Sequence, residues 1–187
     1  MNNINKIGRF ILSFEGGYVN DKNDSGGPTN KGVTLKTLNS IHLDKNKDGK
    51  VDLKDLRLLC DIDVIERVLR PYFWDKVQAE RIKNEWVAYL IVDWYWNSGT
   101  IALKKIQKLI GVRESGKFND ETIERLNFLL LQKPKEMFSL ISMTRDIFFK
   151  SLVREDYRKK KYLSGWQRRN NSIKYGQLIC NDNEIIF

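Results

Sequence analysis

Apolar residues recur at helical spacing at the start of the chain, where Ile4, Ile7, Ile11 and Phe14 share one face and Asn, Lys and Arg lie between them. This pattern predicts an amphipathic helix ending at Gly16-Gly17, as a glycine just past the last turn ends many helices. The stretch from Tyr18 to Gly32 is polar, rich in Gly, Asn and Asp, and contains Pro28, which predicts a loop. A short helix through Leu38 and Ile41 should follow, capped by Thr34 or a neighbour. Ile62, Ile65, Val68 and Leu69 predict a helix over 61–69 with Asp61 and Asp63 in its first turn. Residues 84–96 are apolar on most faces, the pattern of a buried central helix, and Asn97-Ser98-Gly99 closes it. From Ile101 the pattern changes to a smaller helical unit. Ile106, Leu109 and Ile110 lead into Gly111, a helix is predicted over 119–131, and another over 135–153 follows Pro134. No segment alternates convincingly at period two, so strands should amount to a short hairpin at most. The expected fold is mainly α.

The 187 residues fit a domain of moderate size with a small appendage, and 41% of them are hydrophobic, enough for a core. Five Trp, seven Tyr and nine Phe can fill that core or line a cleft for sugar rings. The net charge is +9, and seven of these charges fall between Arg145 and Lys174, where ten Lys/Arg face three Asp/Glu. Such a balance favours polyanionic partners: nucleic acid, an anionic membrane or an acidic cell-wall polymer. Lys159-Lys160-Lys161 with Tyr157 and Tyr162 suits nucleic acid, but no recognisable binding fold accompanies it. Cys60 and Cys180 form no spaced framework, which points to a reduced compartment during synthesis. Cys60 is expected to pack beside Leu58, Leu59 and Ile62. Residues 1–14 lack the apolar core of a signal peptide, and the apolar run 86–96 is interrupted by Asp93 and too short to span a bilayer. His42 is the single histidine, which excludes a two-histidine zinc site, and without triad partners it argues against serine- or cysteine-type hydrolysis.

Glu15 holds the most informative position. A carboxylate at a helix C-terminus faces the negative end of the helix dipole, and Phe14 desolvates it. Both favour the uncharged acid, the form a proton donor needs. Gly16 and Gly17 leave room for a bulky substrate. The polar loop offers Asp21, Asp24, Ser25, Gly26, Gly27, Thr29 and Asn30. Glycoside hydrolysis needs a second carboxylate or a held water, and Asp24 is the candidate for that role.

The longer segment Phe14-Glu15-Gly16-Gly17-Tyr18-Val19-Asn20-Asp21, with Asp24-Ser25-Gly26-Gly27-Pro28-Thr29-Asn30-Lys31-Gly32-Val33-Thr34, resembles the N-terminal signature of glycoside hydrolase family 108. Ser25 departs from it, since the family more often has Pro there. Arg70-Pro71-Tyr72-Phe73-Trp74-Asp75 and Val92-Asp93-Trp94-Tyr95-Trp96-Asn97-Ser98-Gly99 resemble two further family segments. Leu109 to Leu126 and Gly165-Trp166-Gln167-Arg168-Arg169 look like a small peptidoglycan-binding module. The resemblance implies a lysozyme-like helical domain at 1–99, a wall-binding helical unit at 100–187, and Glu15 as the general acid of an N-acetylmuramidase. It implies hydrolysis of the β-1,4 bond between N-acetylmuramic acid and N-acetylglucosamine in peptidoglycan. Tyr18, Gly26, Gly27, Thr29, Tyr72, Trp74 and Asn97 are the candidate substrate contacts, with core packing the alternative for Tyr72 and Trp74 and helix capping for Asn97. Arg168 and Arg169 are expected to help adsorption to the wall. The chain is expected to be a monomer acting like an endolysin, after holin-type release or dedicated export. The rival function is a peptidoglycan-binding or secretion-accessory protein without turnover.

One motif lies outside that set. Asp44, Asn46, Asp48, Lys50, Asp52 and Asp55 stand at positions 1, 3, 5, 7, 9 and 12 of an EF-hand-like loop, with Gly49 at position 6. Lys50 would contribute its backbone carbonyl, the others their side chains. A structural Ca2+ is therefore expected at this insertion, 44–55, and no cofactor is needed for catalysis.

Overall fold

The computed structural model describes residues 3–20 and 27–187. The chain is mainly α and lysozyme-like, with 64% of it helical. Helix α1 (Ile4–Phe14) starts where the Asn3 side chain accepts from the backbone N–H of Asn5, and it buries Ile4, Ile7, Phe10 and Ile11. Its end differs from expectation. Glu15 closes it with extended backbone, and neither Gly16 nor Gly17 takes a positive φ. The two glycines instead lie in open space, since a methyl group on either would meet nothing within 4 Å.

Strands β1 (Thr29–Asn30) and β2 (Val33–Thr34) form a two-stranded antiparallel hairpin. Lys31 and Gly32 between them have φ of 51° and 77°, as a primed hairpin turn requires. Val19 pairs with Thr29 beside the hairpin. The Thr34 hydroxyl then accepts from the N–H of Thr37 and caps α2 (Leu35–Ser40).

After α3 (Leu53–Arg57), helix α4 (Asp61–Val64) passes without a break into a π-helix over Ile65–Trp74. Pro71 lies inside it and has no N–H to give, and the N–H of Asp75 reaches back five residues to the carbonyl of Arg70. Helix α5 (Glu85–Ser98) is buried from Val87 to Trp94. Around it pack α1, α6 (Thr100–Ile110) and α8 (Pro134–Glu155), with α7 (Asp120–Gln132) set against α6 and α8. Helix α9 (Lys160–Ser172) leads into a three-stranded antiparallel sheet, β3 (Ile173–Lys174), β4 (Gln177–Ile179) and β5 (Ile185–Ile186), which the period-two criterion missed because its strands are two or three residues long. Among the described residues no helix is long and apolar enough to cross a membrane.

The apolar core runs without interruption from Ile4 through α5 to Ile123, Phe138, Ile141 and Leu178. It therefore crosses the position at Gly99 where the sequence pattern changes. A second, smaller cluster of Val33, Leu38, Leu56, Leu59, Val64 and Val68 supports the hairpin lobe. Cys60 is exposed rather than packed, and its Sγ donates to Asp63 Oδ2 at 3.0 Å.

Candidate active site

Glu15 sits between the helical lobe and the hairpin, with its side chain 20% exposed. Oε1 accepts from Trp96 Nε1 at 2.9 Å and from Arg169 Nη1 at 2.9 Å. Among the described residues no donor lies on Oε2. The hairpin turn passes directly over that oxygen. A methyl group at Gly32 would lie 2.9 Å from Glu15 Oε2 and 2.9 Å from Trp96 Cζ2. Glycine is thus required here twice, by the positive φ and by the close approach. The guanidinium of Arg169 also lies over the Phe14 ring, 5.3 Å from its centroid.

Arg169 is itself held. Its Nε and Nη2 donate to Asp93 Oδ1 at 3.0 and 2.7 Å, and Arg145 Nη2 donates to Asp93 Oδ2 at 2.7 Å. Asp93 and Arg145 are fully buried. Burial opposes ionisation of Asp93, yet the two guanidiniums outweigh it and hold its carboxyl below the ordinary carboxylate range. The result is a buried row, Glu15–Arg169–Asp93–Arg145, that ties α1, α9, α5 and α8 together. Arg145 and Arg169 belong to the basic stretch expected to face a polyanion, and Arg169 with Arg168 is the pair expected to help adsorption to the wall. Arg145 and Arg169 are interior, and Arg168 turns over the Phe14 ring at 5.8 Å. The sequence carried one signal of this: Asp93 interrupts an apolar run, and a buried charge needs a partner. It could not say which residues, and it did not single out Trp96 or Gly32.

A cavity of about 280 Å3 opens beside Glu15, with Gly32, Val33, Thr37, Tyr72, Phe73 and Trp96 among its walls. Phe73 packs against Trp96 at 4.8 Å and Tyr95 at 5.1 Å between ring centroids. Of the residues expected to touch substrate, Tyr72 lines this cavity and is 43% exposed. Trp74 does not reach it. It is fully buried, its Nε1 donates to Glu80 Oε1 at 3.2 Å, and it belongs to the core. Asn97 is exposed and its Nδ2 donates to the Asp93 carbonyl one turn back. The Thr29 hydroxyl donates to the Gly27 carbonyl, so both shape the turn entering β1. Tyr18 is half-buried, with the Arg57 guanidinium over its ring at 4.7 Å. Asp24 and Gly26 lie outside the described residues.

The 44–55 loop has Gly49 at φ 84°, as its template demands. Its carboxylates are engaged with its own backbone. Asp44 accepts from the N–H of Lys47 and Gly49, Asp48 from Lys50, and Asp52 from Lys54, while Asn46 Oδ1 accepts from Asp48. Asp55 is buried and accepts from Asp52, Asn46 and Lys45, donors that hold its carboxyl below the usual range. Among the described residues, only Cys180, Asp182 and Glu184 bring three acidic or thiol ligand atoms within 4.8 Å of one another. The loop carboxylates do not.

The family model of glycosyl hydrolase 108 matches residues 8–99, just under half of the chain. That segment carries Glu15, Gly32, the cavity walls, Asp93 and Trp96. The match supports a glycoside hydrolase. The structure of Brucella abortus SagA is similar with a TM-score of 0.67 at 24% identity, covering 91% of this chain and 94% of that chain. This likeness shows the fold. No curated protein matches the chain in sequence.

Proposed function

We propose, from the glycosyl hydrolase 108 match and the setting of Glu15, that the chain is a peptidoglycan hydrolase of the N-acetylmuramidase type. One observation carries the reading. The partly exposed Glu15 carboxyl bonds to Trp96 and lies under Gly32, two residues that wall an aromatic-lined cavity. Aromatic faces suit sugar rings, and a carboxyl at that place can protonate a glycosidic oxygen. Tyr72, Phe73 and Trp96 would form the sugar platform. The water-positioning group belongs to the polar loop that includes Asp24. An endolysin-like role and a wall-binding function for residues 100–187 are part of the same proposal and rest on the sequence resemblance.

The test is product analysis on purified sacculi. Wild-type protein should release fragments whose new reducing ends are N-acetylmuramic acid, read by borohydride reduction and mass spectrometry. Reducing N-acetylglucosamine ends would reassign the bond cleaved. Adsorption with no new reducing ends would favour the binding-protein reading.

We also propose that the 44–55 loop takes Ca2+, supported by its ligand spacing and by the φ of Gly49. A ligand at a hundred times its dissociation constant stabilises by about 2.7 kcal/mol. Millimolar Ca2+ should therefore raise the thermal midpoint of the EDTA-treated protein, and Asp44→Ala should remove the rise. An unchanged midpoint would exclude the ion.

A further inference from the structure

We propose that Arg169 is a positioning residue for Glu15 and that the proton Glu15 donates is carried on Oε2. The inference rests on the hydrolase reading above. Indole N–H and guanidinium groups donate hydrogen bonds and never accept them. Both stand at 2.9 Å from Oε1. An oxygen that already accepts two such bonds is an acceptor, so a proton on Glu15 resides on the other oxygen. Oε2 has no donor among the described residues, and it lies under the one hairpin position without a side chain.

The arrangement fixes direction as well as identity. Arg169 is almost wholly buried, and the two bonds from its Nε and Nη2 to Asp93 Oδ1 leave its Nη1 aimed at Glu15. Trp96 approaches from α5 and Arg169 from α9, so the carboxyl plane is set from two elements. In the reaction, the Oε2–H bond would break as the proton passes to the leaving glycosidic oxygen. The resulting carboxylate stays beside the guanidinium, which stabilises the charge it gains. Water then supplies hydroxyl to the anomeric carbon and returns a proton.

Four variants of the full chain test this on solubilised wall glycan, with kcat and KM measured separately. Arg169→Met removes the donor and its charge. Trp96→Phe removes the other donor without touching Asp93, so the proposal remains testable if the first variant folds poorly. Misplacing a reacting group by about 1 Å costs about 10²-fold. Each variant should lower kcat by about that factor while KM moves less than about three-fold, the pattern of a lost transition-state interaction. Arg169→Lys keeps a cation and should recover part of the loss. Gly32→Ala crowds Oε2 and the edge of the Trp96 ring while leaving both donors to Oε1 in place, and it should abolish turnover. Wild-type kcat in folded Trp96→Phe or Arg169→Met overturns the positioning role. Wild-type turnover in Gly32→Ala overturns the assignment of the proton to Oε2. Inactivity of the wild-type chain on every wall substrate would instead sink the hydrolase reading on which both depend.

Discussion

Glu15→Gln should stop wall hydrolysis while leaving the molecule folded. The amide oxygen can keep both bonds that Oε1 accepts, from Trp96 and from Arg169. Arg169 retains Asp93 as its main counter-charge, so the substitution leaves no buried cation alone. What disappears is the transferable proton. General acid catalysis contributes about 10²–10⁴-fold, and turnover should fall by at least that much, read as turbidity loss of a sacculus suspension. Thermal unfolding should show a midpoint close to wild type. If the Gln variant clears sacculi at the wild-type rate, Glu15 is not the acid.

The second large effect concerns stability. Asp93→Asn should destabilise the protein by about 3–5 kcal/mol, because removing one partner of a buried ion pair leaves the other uncompensated. Here two guanidiniums lose their counter-charge at once. Arg145 is the worse placed. Its Nε and Nη1 are buried without a hydrogen-bond partner among the described residues, and Asp93 is its ion-pair partner. A domain of this size loses roughly 2–4 °C in midpoint per kcal/mol, so a fall on the order of 10 °C is expected in calorimetry. The pH dependence has a definite sign. Asp93 is held below the ordinary carboxylate range in the folded state. Its contribution is therefore complete above about pH 4, the unfolded value, and is lost as pH falls through the lower folded value. The wild-type midpoint should drop in that acid window more steeply than that of Asp93→Asn. Equal acid limbs would show that Asp93 is not ionised in the fold.

Most of the helices were legible because they bury a stripe of apolar residues whose spacing is visible without the fold; α3 and the largely polar α9 were not. Thr34 as a cap and 84–96 as the buried centre, against Glu85–Ser98 in the structure, follow from local chemistry and hydrophobicity alone. Glu15 was legible for the same reason, as a carboxyl at a helix end followed by glycines. The π-helical turn at Pro71 was not, since a proline marks an interruption but not the way the backbone absorbs it. Trp74 shows the limit for single residues. An aromatic beside a cleft-forming Tyr72 reads the same in sequence whether it faces sugar or core, and the bond to Glu80 decides it. Charge misled most. Arg145 and Arg169 look like surface cations in a basic stretch, but their partner Asp93 is 52 and 76 positions away. Pairing over that distance is a property of the fold.

The contact between Glu15 and Arg169 spans 154 positions, nearly the whole chain. Order of synthesis gives this distance a meaning in time. The acid is made before the walls of its cavity, and the guanidinium that orients the acid is made after both. A nascent chain ending before α9 carries Glu15 with only the indole of Trp96 on it, and Asp93 with Arg145 as its sole cation. The finished constellation exists only once α9 has been made and packed, so a cell that builds the wall this protein is proposed to cut does not meet the assembled site before that point.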